Sequence, residues 1–408
     1  MLIRPFKVPE WVVALAGAVA MLATGIVGPG DVGAVLQRNA SVFAFFLGMM
    51  TLTTLAEAAS VFDRMAEVSA RLAGGSPRRL FINVFLLGTL ISTFLTNDAT
   101  ALILTPIVYA VVTQLRLDPL PYVFACTFIA DTASMTLRVS NPINVILVQQ
   151  LGGLSLVDFL HYLLLPSIAA IAINIGLLTW IFRRSFHGTF AGHELAKERG
   201  AGDGIAFNWA VLCLVLVGIA FVVASAVQPG AIGAVAVAGG GALLLATALQ
   251  GRLRWKELAG GISWGIFPFI AGMFLMVRGI EHHGATQQLG SLLGRLAGSG
   301  TFQPAVVSAL FSAAGSNVIN NVPMVAVMTS TIPTLHGASQ HALVLGTLIG
   351  CDLGPNLTVV GSLSTMIWLL LLRQRGIEVS GLDYARLGVI VTPVMLVVAA
   401  VLLGLLLG

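Results

Sequence analysis

The sequence predicts an all-α polytopic membrane protein with two inverted-topology repeats, each holding a re-entrant helical hairpin and a broken transmembrane helix. Three observations carry that prediction. Hydrophobic residues make up 57% of the 408 and charged residues 9%, where a soluble domain carries roughly a quarter charged; soluble packing cannot hide that much apolar surface. Apolar runs at 11–28, 40–60, 160–182, 208–227, 230–249, 262–280 and 386–407 are each long enough to cross a hydrocarbon core about 30 Å thick. Polar segments interrupted by Gly and Pro recur in matching places of the two halves, which is the sequence mark of a secondary transporter with its site near the midplane.

In chain order, run 11–28 follows Arg4 and Lys7 as a secretory leader would. It opens a series of spans, so it reads as the first of them rather than as a cleaved segment. Of the 21 Lys and Arg, 17 fall at the N-terminus and in loops near 64–79, 116, 183–199, 252–256 and 373–386. Arg38, Arg278 and Arg295 fall on the other side and Arg138 within a span. By the positive-inside rule the first group, with the N-terminus, is cytoplasmic. This sidedness accounts for the net charge of +4 and the pI near 9.3, so no nucleic acid or other anionic partner is needed to explain them.

Basic loops flank segment 80–116 at both ends, so it must return to the side it left. It is short for two full spans and a turn, which favours a re-entrant hairpin with Thr96, Asn97 and Asp98 of FLTNDATALILTP (94–106) at its tip. Irregular backbone at that depth needs a protein-lined cavity. The same logic makes 300–336, with SNVINNVP at its centre, a second hairpin entering from the opposite side.

Segments 119–150 and 342–372 are too polar in the middle for plain helices. SNPIN (140–144) holds Pro142, while LGPN (353–356) and GSLST (361–365) hold Gly354, Pro355 and Gly361. Breaking a helix frees N–H and C=O groups, tolerable in a membrane only beside a hydrated or ligand-filled pocket. Asn97 then corresponds to Asn321 and Asp131 to Asp352, at offsets of 224 and 221 residues. The expected organisation is a first repeat over 1–182, a hydrophilic cytoplasmic linker over 183–207, one extra crossing over 208–227 that turns the second repeat over, and that repeat over 228–408.

Asp98, Asp131 and Asp352 are the deepest acids. A membrane-centre Asp costs about 2.5–3.5 kcal/mol on insertion scales and is by default a proton or ion relay, so these three are the proton-coupling candidates. The alternative is that each caps a half-helix or pairs with Arg138, two turns beyond Asp131 on an unbroken helix. The candidate substrate-binding residues are Thr96, Asn97, Asn141, Asn144, Ser316, Asn317, Asn320, Asn321, Ser362, Ser364 and Thr365, which offer donors and acceptors without fixed charge. Such a lining suits a neutral hydroxylated solute or a partly dehydrated cation better than a multivalent anion. Any single one of them can instead be interhelical glue.

Other signals add little. His282 and His283 beside Glu281 read as solvated, so no metal site is expected, and Cys126, Cys213 and Cys351 form no CxxC pattern. No GxxxxGK[ST] loop, hydrolase or nuclease constellation occurs. The chain is therefore expected to be no enzyme, to need no cofactor and to be driven by gradients. GAVAVAGGG (233–241) reads as close helix packing.

FLTNDATALILTPIV, FIADTASMTLRVSNPINVI, SNVINNVPMV and GCDLGPNLTVVGSLSTMIWL resemble the signature segments of the ArsB-type arsenite/antimonite efflux permeases, in the ion transporter superfamily that also holds sodium/proton antiporters and dicarboxylate carriers. The resemblance spans both repeats in order, with GCDLGP and IADTAS its specific part. It implies export of trivalent arsenic and antimony hydroxides across a prokaryotic inner membrane in exchange for protons. It also implies a soluble arsenite-stimulated ATPase partner and a homodimer in some relatives, with a scaffold domain beside a transport domain of hairpins and broken spans. Arg138, where an apolar residue is expected, and Asn356, where lysine is familiar, depart from the pattern. The main competing function is sodium/proton antiport; a passive channel is a more distant one. Two expectations concern the site itself: Asn97 and Asn321 line one chamber, and oxygen and nitrogen groups rather than thiols hold the solute.

Overall fold

The computed structural model describes residues 9–151, 154–190, 204–227, 231–335 and 339–408. Its regular structure is helical. The first half runs through α1 (Glu10–Ala23), α2 (Pro29–Arg38), α3 (Ala40–Ala58), α4 (Val61–Leu72), α5 (Pro77–Phe94), α6 (Asn97–Gln114), α7 (Pro119–Ala133), α8 (Pro142–Leu151) and α9 (Leu156–Ile181). After α10 (Gly204–Val227) come α11 (Ile232–Leu249), α12 (Trp255–Gly261), α13 (Ile266–His282) and α14 (Ala285–Ala297). The chain closes with α15 (Phe302–Ile319), α16 (Asn321–Thr331), α17 (Gln340–Leu353), α18 (Leu363–Gln374) and α19 (Gly381–Leu407). Most of the hydrophilic segment expected as a linker, 191–203, lies outside the described residues.

Among the described residues, seven helical segments are long and apolar enough to cross a membrane. Their outward faces keep large apolar side chains exposed, such as Leu212, Val215, Ile219 and Val223 on α10 and Val389, Val394 and Val397 on α19. Water would not tolerate such a belt and lipid does. The chain is a multi-pass membrane protein.

Both expected hairpins and both expected breaks are present. α5 ends at Phe94, and Thr96, in extended conformation, caps α6 by accepting the Ala99 N–H at 3.2 Å. α15 turns into α16 at Asn320, whose φ of 76° lies in a region asparagine tolerates better than other residues with a side chain. Its side-chain oxygen accepts the Val322 N–H and its amide donates to Val360 O. The broken spans stop at Ala133 and Leu353 and restart at Pro142 and Leu363; proline suits the restart because its missing N–H is one that a first helical turn leaves unused.

Each hairpin tip is tied to the break of its own half by one backbone bond. Asn97 N–H donates to Ser140 O at 3.1 Å and Asn321 N–H to Gly361 O at 2.9 Å, so the offsets of 224 and 221 residues seen in the sequence recur in the contacts.

The helices sort into two packed groups. In one, α3 lies against α11 and α1 against α13. A Cβ on Gly48 would stand 2.2 Å from Ala236 C, and one on Gly240 2.7 Å from Gly48 O, so the glycines of 233–241 serve close helix approach. In the other, α5 to α9 pack with α15 to α19. α13 against α16, α3 against α8 and α3 against α6 join the groups. The unbroken helix on which the alternative Asp131–Arg138 spacing depends is absent: α7 ends at Ala133, so Arg138 sits in the break. It is buried, 1% exposed, beside Phe94, Leu156, Gly218 and Phe221.

Candidate functional site

The breaks of the two halves exchange polar contacts at the centre of the molecule. Asp131 lies in the last turn of α7 and accepts from four side chains: Asn97 Nδ2 at 3.0 Å, Ser362 Oγ at 2.9 Å, Ser364 Oγ at 2.8 Å and Thr365 Oγ1 at 3.3 Å. Three of these stand at the start of α18, the restart of the other half's broken span. In return, Asp352 on α17 accepts from Ser134 Oγ at 2.8 Å and Asn141 Nδ2 at 2.7 Å, both in the first break. Hydrogen bonds to a carboxylate are about twice as strong as neutral ones, so the two acids clamp the broken spans together.

Asp98 is different. It lies in the first turn of α6 at the hairpin tip, half-buried, and makes no side-chain hydrogen bond or ion pair with the described residues. Thr96, not Asp98, caps the helix. A central cavity of about 10 Å³ is lined by Asn97, Asp98, Asn141 and Asn321, closed by Phe46, Ile266, Phe269, Pro142, Val322 and Leu363. A second cavity of about 40 Å³ shares Asp98, Phe46, Ile266 and Leu363 with the first and runs along α3 to Glu57 at that helix's C-terminal end, past Thr96, Thr53 and Ser263. That end, next to α4, belongs to the face bearing the basic loops.

The candidates therefore separate. Thr96, Asn97, Asp98, Asn141 and Asn321 face cavities, and Asn97 and Asn321 line the same one. Asp131, Asp352, Ser362, Ser364 and Thr365 form the clamp beside them. Asn144 donates to Ser134 O and Leu137 O, and Asn317 to Gly354 O, which satisfies carbonyls that the breaks release; Asn317 also donates to Ala313 O within its own helix. Asn320 holds the second tip, and Ser316 is buried on α15. Several oxygens in this core, Asn97 Oδ1, Asn356 Oδ1 and Asp352 Oδ2, have no hydrogen-bond partner among the described residues; a buried group left so costs about 1–3 kcal/mol.

Phe46, Ile266, Phe269 and Leu363 close the chamber but carry no sequence signal, since an apolar residue in a span is the default. Glu57, which the sequence suggests is interfacial at the cytoplasmic end of its span, lines the second cavity, and Thr53 could have been found by its four-residue spacing from it on α3. The three thiols are buried on α7, α10 and α17, and none lines either cavity.

On the opposite face, α2 and α13 meet α16. Arg278 Nε donates to Asp31 at 3.1 Å and Arg278 Nη1 to Glu281 at 2.7 Å, and Ser330 of α16 donates to Glu281. Asp31, outside the spans, is held below the ordinary carboxylate range, chiefly by the Gly28 N–H and then by Arg278.

Residues 1–350 match the family described as citrate transporter. The chain is 34% identical over 402 residues to an arsenical pump membrane protein of Yersinia enterocolitica, covering 96% of this chain and 92% of that one. It is also 34% identical over 403 residues to an arsenical pump membrane protein of Escherichia coli strain K12, covering 95% and 92%. An uncharacterized transporter of Mycobacterium tuberculosis strain H37Rv is 28% identical over 425 residues, covering 99% and 95%. Among solved structures, the YdaH transporter of Alcanivorax borkumensis, described as having an unusual topology, matches with a TM-score of 0.59 at 16% identity, over 92% of this chain and 86% of that one. That likeness is one of fold.

Proposed function

Because the chain belongs to the citrate-transporter family and, within it, to the ArsB-type permeases typified by the arsenical pump membrane proteins, we propose that it exports arsenite and antimonite as neutral trihydroxides in exchange for protons. The two inverted repeats supply one hairpin tip each to the substrate chamber. Asn97, Asn141 and Asn321 bind the hydroxyls, and Asp98 carries the transported proton. The observation that carries this reading is the contrast among the three acids. Asp131 and Asp352 are engaged by six side-chain donors between them, whereas Asp98 faces the chamber with its oxygens uncommitted.

Electrostatics favours a neutral solute. Among the described residues no Lys or Arg lines either cavity and Asp98 lines both, so a tricarboxylate would meet a like charge with nothing there to offset it. Near pH 7 arsenite is a neutral trihydroxide that donates and accepts hydrogen bonds, as side-chain amides do. The central cavity holds roughly one water, so loading requires the tips to part from Phe46 and Phe269. The two packed groups are the scaffold and the moving transport domain. The basic face is cytoplasmic by the positive-inside rule, in the inner membrane of a prokaryotic cell. A soluble ATPase on that face and a homodimer rest on the family resemblance alone.

Everted vesicles test the reading. An imposed proton gradient should drive accumulation of arsenite and antimonite, and collapsing it should stop accumulation. Accumulation driven only by a sodium gradient would replace this reading with sodium-coupled exchange.

A further inference from the structure

One face of α3 lines the larger cavity along its whole length. Phe46, Met49, Met50, Thr53, Thr54 and Glu57 follow the three- and four-residue spacing of a single helical stripe, about 16 Å from end to end at 1.5 Å per residue. The stripe is apolar beside the chamber and polar toward the basic face. Its last member, Glu57, is exposed, while Asp98 at the other end of the cavity is half-buried. Between them Thr53, 5% exposed, has a hydroxyl oxygen with no hydrogen-bond partner among the described residues. An unpaired buried hydroxyl is costly, and this one lines a cavity that carries a carboxyl group at each end.

We propose that Glu57 is the proton relay through which Asp98 discharges to the basic face, with the Thr53 hydroxyl as the intermediate. The inference rests on the reading that Asp98 carries the transported proton. The Asp98 O–H bond breaks and its proton passes, directly or through a bridging water, to the Thr53 oxygen. That hydroxyl gives its own proton to the Glu57 carboxylate, and Glu57 gives it to bulk water. Asp98 ends anionic, Thr53 and Glu57 return to their starting states, and one proton has left the protein. The 40 Å³ of the cavity accommodates about three waters at roughly 10–15 Å³ each.

The charged groups facing Glu57 are few. Asp63 at the start of α4 acts on it electrostatically, and Asp98 shares its cavity. The segments across from it contribute Gly261, Ser263, Ile266, Leu363 and Ile367, none of which titrates. Among the described residues, no cation lines this cavity.

The test is arsenite-driven proton movement in proteoliposomes holding the full chain, followed with a pH indicator on the basic-face side. Glu57→Gln should slow proton release about tenfold or more with the arsenite KM unchanged, and a small weak acid such as formate on that side should restore the rate. Glu57→Asp should retain most of it. Thr53→Val should slow release likewise, while Thr53→Ser should not. Wild-type release rates in a well-folded Glu57→Gln protein would overturn the inference, as would a defect confined to KM without rescue by formate. If the wild type itself moves no protons on arsenite addition, the proton-exchange reading falls and the relay with it; the relay fails alone only when wild-type coupling is intact.

Discussion

Asp98, Asp131 and Asp352 share one polar centre, yet their surroundings assign them different work. Asp131 is the acceptor for three hydroxyls and an amide drawn from the first hairpin and the other half's α18. Replacing it with Ala strands those donors at about 1–3 kcal/mol for each that stays unpaired. Asp131→Ala should therefore lower the thermal unfolding midpoint in detergent clearly, and an unchanged midpoint would refute the clamp. The cysteines lie at the other extreme. They are buried away from both cavities and act as small apolar fillers, although trivalent arsenic is thiophilic. Replacing Cys126, Cys213 and Cys351 together by Ala or Ser should leave arsenite accumulation in everted vesicles within about twofold of wild type, as expected for groups that only fill space. Abolished transport in a correctly inserted triple variant would make thiol coordination the better account. Roles of this kind were only half legible in the sequence. Asn144 and Asn321 look alike there, because an amide can serve a solute or a severed backbone equally well; only the fold shows Asn144 turned to Ser134 O and Leu137 O and Asn321 facing the chamber.

At the scale of elements, the hairpins and breaks were readable because Pro142, Gly354, Pro355 and the Thr-Asn-Asp triplet have no business in an unbroken apolar helix. Irregular backbone must announce itself in a span, whereas the walls of a chamber need not: Phe46 and Phe269 could face lipid, a neighbour or a solute with the same composition. α16 is held to α13 at the face away from the basic loops by the Ser330 to Glu281 bond, and α13 to α2 by Arg278 and Asp31. For the chamber to open on that side the second hairpin must part from α13. A short bis-methanethiosulfonate linker between Glu281→Cys and Ser330→Cys, in a protein without its native cysteines, should stop transport, and reductant should restore it. Undiminished transport by the cross-linked protein would show that this contact does not gate. Within this network, which His282 also faces at 3.9 Å from Asp31, the Asp31 carboxylate itself should not titrate in the transport range. Asp31 has a lowered pKa in the folded protein, so its contribution is complete above its unfolded pKa of about 3.9 and is lost only as pH falls through the folded value.

Across the whole molecule, two helix groups meet around the chamber, and the first is made rigid by contacts too close for a side chain. Gly48→Val would place atoms where Ala236 backbone already stands, 2.2 Å from the new Cβ. Overpacking of this kind costs typically about 1–3 kcal/mol, so the variant should unfold at lower temperature while Gly241→Ala, with nothing within 4 Å, should not. The second group carries both hairpins and both breaks, and transport on this account is its movement against the first, with proton and solute competing for one chamber. That competition is the central claim, and it can be measured on the purified protein in weakly buffered detergent solution with a pH indicator. Adding arsenite should release protons from the wild type and none from a folded Asp98→Asn variant. Equal release from both, or none from the wild type, would contradict the account.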